Sequence, residues 1–201
     1  MIDSWFPTLI SHEVLEEFKD RNSYFSNKAY YIQKNNENLT GTTWNCDTYN
    51  TLGKFNYKLD NDQQINQLIN ICKLKVLEFS RQYGINKSLD SLSCDELWFN
   101  IGAIGSFQEY HQHSDSHFSL VYYVKANNNC GNILFKTIES FADMCQLPID
   151  AGNYTSASYK SCFYTPKESM ILIFRSNLLH MVEKNNSDTD RISIAMNFRF
   201  N

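Results

Sequence analysis

The six cysteines of this 201-residue chain form no C-x-x-C pair; Cys46, Cys72, Cys94, Cys130, Cys145 and Cys162 are scattered along it. Met1-Ile2-Asp3-Ser4-Trp5 does not begin a secretory signal, so the cysteines read as reduced thiols in a cytoplasmic protein, not as a disulfide framework. Lysine and arginine form no cluster and the formal net charge is −4, which argues against a grip on nucleic-acid phosphates. No apolar run approaches the length of a bilayer span, so a membrane is not an expected partner either. Internal repeats and linkers are also missing. The expected organisation is therefore one domain over residues 1–201.

What is present is an ordinary globular composition, with 42% hydrophobic and 20% charged residues. Ser11 is placed to cap a helix carrying His12 in its first turn, with Val14, Leu15 and Phe18 on its apolar face. Lys28–Gln33 reads as a short strand, and Trp44 follows in a polar setting, either folded onto a rim or touching substrate. The clearest helix runs from Asp62 to Tyr83. Ile65, Leu68, Ile69, Cys72, Val76, Phe79 and Tyr83 recur there at three and four residues, and Gly84 supplies the stop. From residue 95 the pattern changes to strands: Leu97–Ile101, Phe118–Val124, Gly131–Phe135, Ser169–Phe174, Leu178–Val182 and Arg191–Phe200. Gly131–Phe135 is expected to pair with Phe118–Val124 as a hairpin. Residues 137–166 lack periodicity and are expected to form a binding loop that shapes the substrate mouth, offering Tyr154, Tyr159, Phe163 and Tyr164. Helices early and strands late predict an α+β chain: a double-stranded β-helix (a jelly-roll, cupin-like barrel) over residues 95–201, with a helix-rich supporting part over 1–94.

The chemistry concentrates in Tyr110-His111-Gln112-His113-Ser114-Asp115-Ser116-His117. In an extended chain, residues i and i+2 project to one face, so His111 and His113 can point at a single ion. A third ligand must come from elsewhere, and His180 lies downstream in an apolar segment. Imidazole suits iron, zinc, nickel and copper, so spacing alone names no metal. Eleven residues after His180 comes Arg191, and Ser193 shares its face of the last strand. A guanidinium there matches a carboxylate, and the serine hydroxyl can add to it. An organic diacid that chelates the metal at one end and meets Arg191 and Ser193 at the other fits this layout. 2-Oxoglutarate, serving iron(II), is such a ligand.

From Trp98 to Phe198 the chain resembles the 2-oxoglutarate- and iron(II)-dependent oxygenases, and within them a family frequent in marine bacteria and their phages. The matching words are Trp98-Phe99-Asn100, His111-x-His113, Ser119-x-x-Tyr122-Tyr123-Val124, Gly131-x-x-x-Phe135, Phe174-x-Ser176-x-x-x-His180 and Arg191-Ile192-Ser193-Ile194-Ala195-Met196-Asn197. The resemblance implies an oxygenase that uses Fe(II), 2-oxoglutarate and O2, releases succinate and CO2, and acts on a small molecule or protein side chain in a bacterium or a phage-infected cell. It leaves two metal registers. His113, Asp115 and His180 make the usual two-histidine, one-carboxylate set; His111, His113 and His180 fit the narrower family's spacing to Ser119-x-x-Tyr122-Tyr123. The three-histidine register is preferred, with Asp115 then an acceptor behind the ligands, and with Arg191 and Ser193 as the cosubstrate residues. Tyr122 or Tyr123, together with Asn100, is expected to line the pocket. Two other readings stay open: a cupin-type metalloenzyme that needs no 2-oxoglutarate, and a non-catalytic barrel that binds through its aromatics.

Overall fold

Strand β10 (Arg191–Phe200) is buried along nearly all its length and carries neighbours on both edges. It runs antiparallel to β3 (Leu92–Gly102) on one side and to β5 (Phe118–Lys125) on the other. The computed structural model that contains it describes residues 2–3, 5–36, 48–52, 62–137 and 148–201. Beyond β5 lie β8 (Met170–Arg175) and β1 (Ile10–Val14); beyond β3 lies β2 (Thr48–Asn50). A second sheet of four strands has the order β4 (Gln108–His111), β9 (Leu179–Val182), β6 (Ile133–Lys136), β7 (Ser161–Tyr164). All the pairings are antiparallel, and the chain passes back and forth between the sheets, which makes the expected jelly-roll barrel.

Alternation along the strands sorts side chains between two cores. Ile171 and Ile173 of β8 face the helices α1 (Asn22–Asn35) and α2 (Gln63–Ser80), whereas Met170, Leu172 and Phe174 of the same strand face the barrel interior with Tyr123, Ile133 and Phe135. Helix α2 follows the predicted stripe. Asp62 caps it by accepting from the N–H groups of Gln64 and Ile65, and Gly84 ends the following 3-10 turn at φ 74°.

Three expectations fail. Ser11 and His12 lie on edge strand β1, not in a helix. The edge of β8 offers backbone partners from Met170 to Phe174, and this tertiary pairing outweighs the local capping signal. Lys28–Gln33 is part of helix α1, although Tyr30, Tyr31 and Ile32 favour strands locally. Phe25, Ala29 and Ile32, spaced four and three apart, are all fully buried against the sheet, and that burial decides the matter. Gly131–Phe135 does not pair with Phe118–Val124. Both edges of β5 are taken, by β10 and β8, so the chain crosses to the other sheet, where β6 pairs with β9 and β7. The long segment 137–166 contains strand β7 near its end. The barrel also draws its edge strands β1 and β2 from the N-terminal part. Trp44, Cys46 and Cys145 lie outside the described residues.

Candidate metal centre

His111 ends β4 and His180 lies on β9. The two residues are cross-strand partners, with ring centroids 4.2 Å apart. His113 follows two residues after His111, and its ring centroid is 5.3 Å from each of the other two. One ligand nitrogen from each imidazole can be chosen so that all three lie within 4.8 Å of one another. Ring orientation is fixed from behind. His111 Nδ1 is 2.7 Å from the carbonyl of Glu109 and His180 Nδ1 is 2.8 Å from that of Leu178. A carbonyl only accepts, so both Nδ1 atoms carry the proton and both Nε2 lone pairs are left for an ion.

The rings are held neutral. Burial pushes the His180 imidazole down to about 3, with His111 and His113 adding to the effect. Burial and the neighbouring His111 push His113 down to about 4, and burial lowers His111 as well. Three uncharged nitrogen donors without protons to displace are a donor set that suits a divalent transition ion such as iron(II). Asp115 is exposed and stands outside this cluster. His117 accepts the Phe200 N–H at its Nδ1, 3.0 Å away, and His12 packs on Tyr164; neither joins the cluster.

The turn before β9 serves both ligand segments. Ser176, fully buried, accepts the His113 N–H at 2.8 Å, and its own N–H donates to the carbonyl of His117. Its hydroxyl meets that of Ser119 at 2.9 Å, Ser119 reaches Asn197 Oδ1 at 2.8 Å, and Asn197 Nδ2 donates to Glu96 at 2.6 Å. Since the Asn197 amide gives its N–H to a carboxylate, its oxygen must accept from Ser119. The single hydroxyl proton of Ser119 is then used, so Ser176 donates to Ser119. The direction of the whole chain follows from the donor inventory.

The histidines open onto a cavity of about 80 Å³ inside the barrel, which Arg191, Ser193, Tyr123, Asn100 and Trp98 also line. Arg191 is only 5% exposed and its Nη1 donates to the carbonyls of Cys130 and Glu183. Gly131, at φ +86°, makes that course possible. A Cβ there would stand 2.4 Å from the Glu183 carbonyl oxygen and 2.9 Å from Arg191 Nη1. A buried, permanently charged guanidinium on the cavity wall fits a carboxylate of a diacid that also reaches the histidines.

Of the paired tyrosines, Tyr123 faces the cavity, whereas Tyr122 faces α1 and donates to Asn22. Tyr154, Tyr159, Phe163 and Tyr164 do not line the histidine cavity. Tyr159 and Tyr164 line a separate cleft of about 740 Å³ between β1 and β7. Sequence reasoning missed Thr48 and Asn50 on β2, and Gln108, which donates to Asn100. A three-residue strand is too short to show a period, and no signal would have found it.

A family profile described as "Putative 2OG-Fe(II) oxygenase" matches residues 96–197. Among solved structures, a Pseudomonas putida prolyl-4-hydroxylase is similar over 96% of this chain and 94% of its own, with TM-score 0.63 and 13% identity. The non-haem alpha-ketoglutarate-dependent epimerase SnoN of nogalamycin biosynthesis is similar over 96% of this chain and 79% of its own, with TM-score 0.64 and 11% identity. HygX from Streptomyces hygroscopicus, solved with iron bound, is similar over 96% and 82%, with TM-score 0.59 and 9% identity. At these identities the likeness speaks for the fold. A comparison with curated proteins finds no match.

Proposed function

The chain belongs to the 2OG-Fe(II) oxygenase family, and from that premise we propose that His111, His113 and His180 hold the iron, while Arg191 and Ser193 receive the distal carboxylate of 2-oxoglutarate. The observation that carries this assignment is the cluster itself: three neutral imidazoles, two with their Nδ1 protons tied back to carbonyls, on one cavity with a buried arginine. When bound, iron(II) and 2-oxoglutarate supply O2-dependent oxidation of a substrate, with release of succinate and CO2. The protein's part is orientation and exclusion of water. The Glu109 and Leu178 carbonyls aim two of the ligands, the Ser176 turn spaces His113 from His180, and Tyr123, Phe174 and Ile133 keep the wall largely apolar. Three neutral ligands leave the ion's charge to be balanced by the cosubstrate dianion, which favours binding metal and 2-oxoglutarate together. Family membership disfavours the cupin-type and binding-module readings.

The visible charge-transfer band of the anaerobic iron(II)–2-oxoglutarate complex tests the assignment. Wild type and Asp115→Ala are expected to show it, His111→Ala to lack it, and Arg191→Ala to bind iron but not 2-oxoglutarate. A band that survives in His111→Ala and vanishes in Asp115→Ala would move the site to His113, Asp115 and His180. No helix among the described residues is long and apolar enough to cross a membrane. A cytoplasmic location belongs to the same proposal and is supported by the free thiols of Cys72, Cys94, Cys130 and Cys162. Cell fractionation that recovers the protein elsewhere would refute it.

A further inference from the structure

We infer that Asn50, on edge strand β2, is a specificity-determining residue of the proposed oxygenase: its side-chain amide N–H2 receives an uncharged carbonyl oxygen of the substrate. The inference rests on the assignment of the histidine cavity to iron(II) and 2-oxoglutarate. Asn50 lines that cavity and is 5% exposed. Its Oδ1 accepts the Leu52 N–H at 3.3 Å. A backbone N–H only donates, so this bond settles which end of the amide is oxygen. The other end, Nδ2, donates to nothing among the described residues. A buried donor without an acceptor is costly, and a ligand on the cavity side is one way to supply it.

Strand register separates this donor from the cosubstrate. Asn50 is the cross-strand partner of Asn100, which is in turn the partner of Ser193 on β10, so the three lie in one row on the cavity face. Neighbouring strands are about 4.8 Å apart, which puts Asn50 about 10 Å from Ser193 along the row. A 2-oxoglutarate held between the histidines and Arg191 of β10 leaves that end of the row to another molecule. The row ends where the two sheets meet. Thr48 Oγ1 donates to the Phe107 carbonyl at 3.3 Å and Gln108 Nε2 to Asn100 Oδ1 at 3.3 Å, which ties β2 and β3 to the start of β4, the strand that ends in His111. Asn50 is therefore on the metal's side of the barrel, at its edge.

The surroundings define what the donor takes. Trp98, two residues from Asn100 on the same face of β3, packs on the His113 ring with centroids 5.6 Å apart. Leu52, 40% exposed, continues the cavity wall past Asn50 to the surface. Among the described residues that line the cavity, Arg191 alone carries a charge once the imidazoles are neutral. A carboxylate or ammonium brought to Asn50 would thus be buried without a counter-charge beside it. An uncharged carbonyl needs only an N–H donor, and an alkyl group next to it packs on Trp98 and Leu52. The group that fits is therefore an uncharged carbonyl with an alkyl neighbour, presented at the β2 edge.

The test is the amide-region NMR spectrum of the protein loaded with 2-oxoglutarate and zinc(II), a closed-shell ion that imidazole also suits. The Asn50 Nδ2 pair of signals is identified by its absence in Asn50→Asp, which keeps an oxygen for the Leu52 N–H and removes the donor. N-isopropylacetamide should move this pair saturably; isobutyrate and isobutylammonium, of similar size but charged, should not. In the variants, binding is read from the Trp98 indole N–H. Asn50→Asp should bind the amide about 10-fold more weakly, the scale of one hydrogen bond, and take isobutylammonium in its place. Asn50→Ala should lose the amide without gaining the ammonium, and should bind 2-oxoglutarate as wild type does. A pair that no concentration of the amide moves, equal amide affinity in Asn50→Asp, or a parallel loss of 2-oxoglutarate in Asn50→Ala would overturn the inference. Failure of the underlying assignment looks different: Arg191→Ala would then bind 2-oxoglutarate as well as wild type does, whatever the Asn50 pair reports.

Discussion

The two faces of β10 behave as two different materials. Ile192, Ile194, Met196 and Phe198 are all fully buried against the helix-side core, and their side chains ask for no hydrogen-bond partner. Arg191, Ser193 and Asn197, each displaced by one residue, are nearly as buried but face the cavity, where each needs a partner. One strand thus gives stability from one side and chemistry from the other, because successive side chains point to opposite faces. The polar face costs stability wherever its groups go unsatisfied, and its worth lies in the ligands it is shaped for. Changes on the two faces should therefore separate folding from binding.

The largest expected effect is on the cavity side. His180→Ala should abolish iron(II) binding, measured by anaerobic titration, while the melting temperature of the apo-protein falls little. The next is the reverse. Ile194→Ala removes a fully buried side chain from the helix-side core and should cost about 2–5 kcal/mol in denaturant unfolding. Iron affinity in the protein that remains folded should stay near the wild-type value. If Ile194→Ala abolished metal binding without loss of stability, the separation of faces would be wrong. A third substitution probes the support of the ligands. Ser119→Ala interrupts the directed chain from Ser176 to Glu96 and should weaken iron(II) about 10-fold, near the low end for groups that act behind metal ligands. Ser119→Thr, which keeps the hydroxyl, should recover part of that loss.

The same division explains what could be read from the sequence. β10 and β8 were legible because their alternation or continuous burial is a period-two signal written in the residues themselves, and α2 because its stripe runs over many turns. The histidine and arginine cluster was legible because motif spacing survives without knowledge of the register. Other features depended on partners far along the chain. Nothing within Ser11-His12-Glu13-Val14 reveals that an edge of β8 awaits it, and nothing in Tyr30-Tyr31-Ile32 reveals that Phe25 and Ala29 bury with Ile32 on one helix face. The choice between Tyr122 and Tyr123 turned on strand register, which pairing with β10 decides.

The smallest effect expected lies on the helix side, where the Asp62 carboxylate makes part of that layer's stability depend on pH. Asp62 Oδ1 accepts the N–H groups of Gln64 and Ile65 at 3.0 and 3.2 Å, and Oδ2 accepts from Lys28 at 2.6 Å and Tyr24 at 2.5 Å. This one side chain thus caps α2 and ties it to α1. Burial alone would raise its pKa, but the Lys28 ammonium, the Tyr24 hydroxyl and the Ile65 N–H outweigh burial and hold the carboxyl below its ordinary 3.8. A group lowered on folding stabilises the fold above its unfolded value, and that contribution is lost as the pH falls through the folded value. Asp62→Ala should therefore cost about 1 kcal/mol near neutral pH, the usual worth of an N-cap. The difference from wild type should begin to shrink below about pH 3.9, the ordinary value of an unfolded aspartate, and go on shrinking as the pH falls through the lower folded value. Urea unfolding of both proteins at neutral pH and at about pH 3 measures this; a gap that stays constant with pH would show that the cap acts through shape and not through charge. Iron affinity should be the same in both proteins at neutral pH, because the helix layer meets the sheet on the face turned away from the cavity.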